Sequence, residues 1–167
     1  MNFKLIVIIV VLLLGPQAGL AYDIPPGMEP KRELEQFISY GKDLHVNTKI
    51  KPQKDVVKKI KNPHDPKQID EWHTVYYRGL IIRFYRATSA PGDLVNKVIL
   101  SNKEYTMPFN IQIGDTREKV MQKLGVPTDD KEEKLYYDLP YASYSESVTF
   151  KFSKGILKEV EWDFEID

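Results

Sequence analysis

The sequence predicts an α+β protein of two similar halves in tandem, each a helix with an antiparallel sheet, the helices on one face of the sheet. Three stretches predict it. "IGDTREKVMQKLGVP" (residues 113–127) reads as one short, sharply bounded helix. "SVTFKFSKGILKEVEWDFEI" (147–166) reads as a two-stranded hairpin. "KPQKDVVKKIKNPHD" (51–65) carries the apolar spacing of the first stretch a second time.

The chain opens "MNFKLIVIIVVLLLGPQAGLAYDIPP", where Lys4 precedes the uninterrupted apolar run Leu5–Leu14 and Gly15 and Pro16 break it. With Gly19 and Ala21 before a cut, residues 1–21 read as a secretory signal peptide that leaves Tyr22 as the mature N-terminus. The competing reading, a membrane anchor, needs about 20 apolar residues. The chain has no cysteine. It therefore has no disulfide and no lipid-modified cysteine, and an exported domain of this kind must be held by burial alone. Its 24 basic and 24 acidic residues balance. Such a balance argues against a nucleic-acid partner, which selects a basic surface.

Residues 22–45 comprise a Pro-rich lead, "YDIPPGMEP", and a helix with Leu34, Phe37, Ile38 and Leu44 at helical spacing. Residues 46–104 form the first, degenerate repeat. There Val56, Val57 and Ile60 make the helical stripe and Pro63 ends it. "YYRGLIIRFYR" then alternates, Leu80, Ile82 and Phe84 on one face against Ile81, Arg83 and Tyr85 on the other, and "APGDLVNKVILSN" returns as a second strand. Residues 105–167 form the second repeat. Asp115 is its expected helix cap, with Glu118 completing a capping box. Val120, Met121 and Leu124 are its stripe, Gly125 its stop, and Pro127 prevents continuation. A helix this short must lie against a sheet. In the hairpin, Val148, Phe150 and Phe152 point one way, joined by Ile156, Val160, Trp162, Phe164 and Ile166. Glu159, Glu161, Asp163 and Glu165 share the opposite parity. Leu124 and Trp162 are expected to meet between this helix and its sheet. Superposing Val120 on Val56 aligns Met121 with Val57, Leu124 with Ile60 and Pro127 with Pro63, as a duplication would. Chance similarity is the competing reading, because the first copy lacks the Gly-Asp cap.

No catalytic constellation stands out. "HDPKQIDEWH" gathers His64, Asp65, Asp70 and His73, but the spacing fits no metal motif and a solvated loop is the plainer reading. No serine sits in a nucleophile elbow, and no glycine-rich phosphate loop occurs. Carboxylates along one wet strand face lack the apolar pocket that raises a general acid's pKa. No enzyme activity, cofactor or metal is expected. What remains is surface. "LYYDLPYASYSES" (135–147) sets tyrosines among small residues, the composition of adaptable contact surfaces. Tyr136 is assigned to the core, and Tyr137, Tyr141 and Tyr144 to contact. The other face of the joined sheet is expected to be open and to carry Arg83, Tyr85, Lys151, Glu159, Glu161 and Asp163. Its acidic strip serves solubility on one reading and meets a basic partner on the other.

The pattern IG-x-T-x-x-x-V-x-x-x-LG-x-P, with the hairpin after it, resembles the helix-plus-sheet module of the β-lactamase inhibitor protein. It is similar also to the small outer-membrane assembly lipoproteins of the SmpA/OmlA group. The resemblance covers residues 111–164 and, more weakly, about 46–101. Two features depart from it: the inhibitor's halves each carry a disulfide, and the lipoproteins an acylated cysteine. The resemblance implies a periplasmic or secreted protein-binding module, an inhibitor or immunity protein that occludes an extracytoplasmic enzyme or toxin. The alternative it implies is a structural accessory of the cell envelope. With the signal cleaved, no membrane span and no nucleic-acid partner are expected.

Overall fold

The structure, a computed structural model, describes residues 32–139 and 145–166. The leader, the Pro-rich lead to residue 31, Tyr141, Tyr144 and Asp167 lie outside the described residues. A helix α1 (Arg32–Asn47) is followed by four strands, β1 (Lys54–Lys61), β2 (Ile69–Tyr77), β3 (Leu80–Arg86) and β4 (Asp93–Leu100). After a 3-10 turn at Pro108–Asn110 come α2 (Arg117–Leu124) and the strands β5 (Asp129–Lys131), β6 (Lys134–Asp138), β7 (Glu146–Ser153) and β8 (Ile156–Phe164). All eight strands form a single antiparallel sheet in the order β1-β2-β3-β4-β8-β7-β6-β5.

This overturns the expected α+β class with two tandem halves. Residues 54–61 are not a helix but an edge strand, paired with β2 in unbroken register from Lys54↔Tyr76 to Lys61↔Ile69. The helical superposition of residues 51–63 on 115–127 therefore fails. Strands dominate, and one continuous sheet with one hydrophobic cluster takes the place of two units. Physically, Val56, Val57 and Ile60 are β-branched residues that suit a pleated strand. No residue of β1 is buried, so no core contact rewards a helical stripe there.

The core lies on one side of the sheet. Across the register, Ile82, Val98, Trp162, Val148 and Tyr137 stand in one row, and Leu80, Leu100, Val160, Phe150 and Leu135 in the next. All ten are buried. The expected parity holds along β3, β7 and most of β8. It fails at Ile156, because a bulge between Lys151 and Phe152 turns Leu157 inward instead.

Helix α1 buries Leu34, Phe37, Ile38, Gly41 and Leu44 against this side. Phe37 stacks on Trp162 with centroids 5.5 Å apart, and the indole N–H donates to the Phe37 carbonyl at 3.0 Å. Trp162 thus lies under α1, a helix to which the hairpin alone did not point, and shares one buried cluster with Leu124 of α2. A Cβ on Gly41 would stand 2.6 Å from the indole, so the close approach requires glycine.

Helix α2 buries Val120 and Leu124 in the same cluster. Its cap is Thr116, which accepts from the Lys119 amide, one residue later than expected. Asp115 instead accepts from the Gln112 amide at 2.7 Å and pairs with Lys119. Gly125 ends the helix at φ 92° and ψ −157°, a conformation open to glycine. No helix among the described residues is long and apolar enough to cross a membrane.

Candidate functional site

Both helices pack on the core side, so the opposite face of the sheet carries the surface chemistry. Most of its residues are half-exposed. Its middle, across β4, β8 and β7, is an ion ladder built from cross-strand neighbours. Lys97 of β4 reaches Glu161 at 2.5 Å and Asp163 at 2.8 Å. Lys151 of β7 pairs with Glu159 at 2.8 Å and also with Glu161. Asp163, Lys97, Glu161, Lys151 and Glu159 thus alternate in sign. Burial raises the Glu161 carboxyl, but hydrogen bonds and charge from Lys151 and Lys97 outweigh it and hold it at about 2. Burial likewise opposes the charge of both lysines, and their carboxylate partners overcome it and raise them. A carboxyl held so low stays ionised near neutral pH and cannot act there as a general acid. It can present fixed charge to a partner.

Toward β1 the same face is aromatic and cationic. The Arg83 guanidinium lies 4.5 Å from the Trp72 ring centre, and Trp72 packs on Tyr85 at 5.5 Å. Lys54 sits over Tyr76 at 5.8 Å. Beneath this platform Asp70 is fully buried. It accepts from the Thr88 amide at 2.8 Å, from Asn62 at 2.6 Å and from the Tyr85 hydroxyl. The Thr88 amide first, then the Tyr85 hydroxyl, hold Asp70 below the usual carboxylate range, and the bond to Asp70 raises Tyr85. Asp70 therefore pins both turns flanking β2 and β3, and orients the Tyr85 ring.

The expected surface residues separate as follows. Arg83, Tyr85, Lys151, Glu159, Glu161 and Asp163 share the open face, the acids tied into the ladder rather than free. Tyr137 does not: it is buried, its hydroxyl donates to the Gly125 carbonyl at 3.1 Å, and burial pushes its pKa up to about 12. Tyr136, assigned to the core, takes the half-exposed position opposite Thr149. Leu135 held the signal, since a buried leucine there turns Tyr137 inward by the two-residue period. Reading "HDPKQIDEWH" as a solvated loop hides Trp72, because its last five residues open β2, and Tyr76, at the head of "YYRGLIIRFYR", belongs to that same strand.

The loop reading of His73 and Asp70 is corrected likewise. His73 is a buried strand residue, 3.0 Å from an Asp55 oxygen and 3.2 Å from Glu71, and stacked on Phe84 at 4.8 Å. His45 of α1 packs on the same Phe84 ring at 4.3 Å and bonds Asp93 at 2.9 Å. Arg86 holds Asp93 through two hydrogen bonds and keeps its carboxyl below the ordinary range. Beside this cluster a groove of about 470 Å³ runs between the end of α1 and β4, lined by Lys42, Val46, Leu94 and Phe164 among others. Among the described residues no group of three or more His, Asp or Glu side chains is placed to hold a metal ion. Comparison of the chain with protein-family models, with curated proteins and with solved structures returns no match.

Proposed function

We propose that this is an exported protein-binding module that covers part of another protein with the open face of its sheet. One observation carries the reading: aromatic anchors, Trp72, Tyr76, Tyr85 and Tyr136, stand half-exposed on a rigid sheet beside a row of fixed, alternating charge. Eight strands about 4.8 Å apart make a face about 35 Å across, ample for the roughly 800 Å² per partner of a standard interface. Tyr and Trp supply contact area at low entropic cost, and the ladder's order of signs favours one docking register. The resemblance to an inhibitor's module makes an extracytoplasmic enzyme or toxin the proposed partner, occluded rather than chemically altered.

The test is capture from an extracytoplasmic extract of the source organism, with wild type and a Trp72→Ala, Arg83→Glu variant as baits. A protein retained by wild type and lost by the variant, at equal melting temperature, supports the reading. Equal retention, or turnover of an envelope substrate by the protein alone, overturns it. Export is checked separately: the mature N-terminus should be Tyr22, and an intact Met1 would reject it.

A further inference from the structure

The two edges of the sheet differ in a way the open face does not explain. At the β5 edge the strand is three residues long. Arg117 pairs there with Asp130 and donates to the Lys131 carbonyl at 2.8 Å and the Glu132 carbonyl at 3.3 Å. That edge is short and occupied. At the other edge, β1 runs eight residues with no proline and no bulge. Among the described residues nothing pairs with its outer side, so alternate residues turn their N–H and C=O outward. Val56 and Val57 are both about half exposed, at 40% and 45%, one on each face.

We propose that β1 is a docking edge that takes an extended, acidic segment of a partner protein as a ninth strand. Charge names the occupant. Lys54, Lys58, Lys59 and Lys61 lie along β1 against a single acid, Asp55, which is already bonded to His73 at 3.0 Å. Lys59 has only a loose contact with Glu71 at 4.0 Å. A second copy of this chain is a poor occupant, because fully overlapped antiparallel β1 strands place Lys54 opposite Lys61 at both ends. An acidic strand instead meets each lysine with a carboxylate and sets apolar residues against Val56, Val57 and Ile60. Main-chain bonds supply the pairing, and the alternating side chains its selectivity. The competing role is a guard, since edge lysines also prevent strand addition. A guard repels basic strands and binds no acidic one.

The inference rests on the protein-binding reading only for the existence of a partner. Its probe is a fluorescein-labelled peptide, Glu-Val-Glu-Glu-Val-Val-Thr-Glu, written to complement β1 from Lys61 back to Lys54. Anisotropy titration against the whole protein should saturate. Amide exchange should slow along 54–61. Replacing two valines of the peptide by proline should weaken binding at least tenfold, because pairing needs the main chain. Lys58→Glu with Lys61→Glu should weaken it at least tenfold, with partial recovery by a peptide carrying Lys for Glu. No saturation at millimolar protein would overturn the proposal and leave the lysines as guards. Undiminished binding of the proline peptide, or protection outside β1, would overturn it as well. Capture through the open face can fail while this peptide still pairs, and the reverse, so the two readings fail separately.

Discussion

Residues 116–127 and 52–63 carry the same apolar spacing and the same closing proline, yet one is helix α2 and the other edge strand β1. The difference lies in what surrounds the spacing. Helix α2 has a side-chain cap in Thr116, strong helix formers in Arg117, Glu118, Lys119, Met121, Gln122 and Leu124, and a glycine stop. Strand β1 has three β-branched residues, no such cap, and Asn62 at its end, whose side-chain oxygen accepts from the amides of His64 at 2.7 Å and Asp65 at 2.9 Å. An apolar stripe specifies a helix only when that stripe is buried. Val120 and Leu124 are buried, whereas Val56 and Val57 are exposed.

The sharpest way to break this comparison is truncation at matched positions. Leu124→Ala should cost about 2–5 kcal/mol, as for other buried leucines, whereas the aligned Ile60→Ala should cost under about 1 kcal/mol. Denaturant unfolding measures both, and equal costs would mean that β1 is as much core as α2. The two stop signals come next. Asn62→Ala removes two accepted bonds and leaves the buried Asp70 short of a donor, and Gly125→Ala strains a positive φ. Each should cost about 1–3 kcal/mol. A harmless Gly125→Ala would show that the helix end does not need that conformation. Thr116→Ala should cost about 1 kcal/mol, with faster amide exchange confined to the first turn of α2.

The smallest effect separates the charges of β8 from those of β1. Glu161 is lowered from 4.5 to about 2, so its stabilisation is fully present above its ordinary range and is lost as pH falls through about 2. On this half-exposed face, with the Glu161 side chain 15% exposed, the loss should be about 1 kcal/mol. Melting temperature should therefore fall from pH 4.5 downward, and Glu161→Gln should flatten that limb. Lys58→Met on β1 should leave it unchanged. A steep limb surviving in Glu161→Gln would place the acid-sensitive group elsewhere.

Local periodicity was enough for α1, for the hairpin of β7 and β8, and for the inward set of β3, because each pattern is written within a few consecutive residues. The open-face positions of Arg83, Tyr85, Lys151, Glu159, Glu161 and Asp163 follow from the same alternation. The platform formed by Trp72 was not legible, since Asp70, Trp72 and His73 show no clean alternation and two prolines precede them. Their strand character comes from pairing with β1 and β3 on both sides.

By itself the sequence determined the inward set of β3, β7 and most of β8, where α2 starts to within one residue, and where the β7–β8 turn falls, at Gly155 with its positive φ. Only the tertiary structure decided that β4 joins β8, that α1 covers Trp162, that Glu159, Glu161 and Asp163 of β8 pair with Lys97 and Lys151, and that residues 54–61 extend along an edge. Each of these depends on a partner distant in the chain. Side-chain period is a property of neighbours a few residues apart, whereas pairing, burial and charge balance exist only once the chain has brought remote segments together.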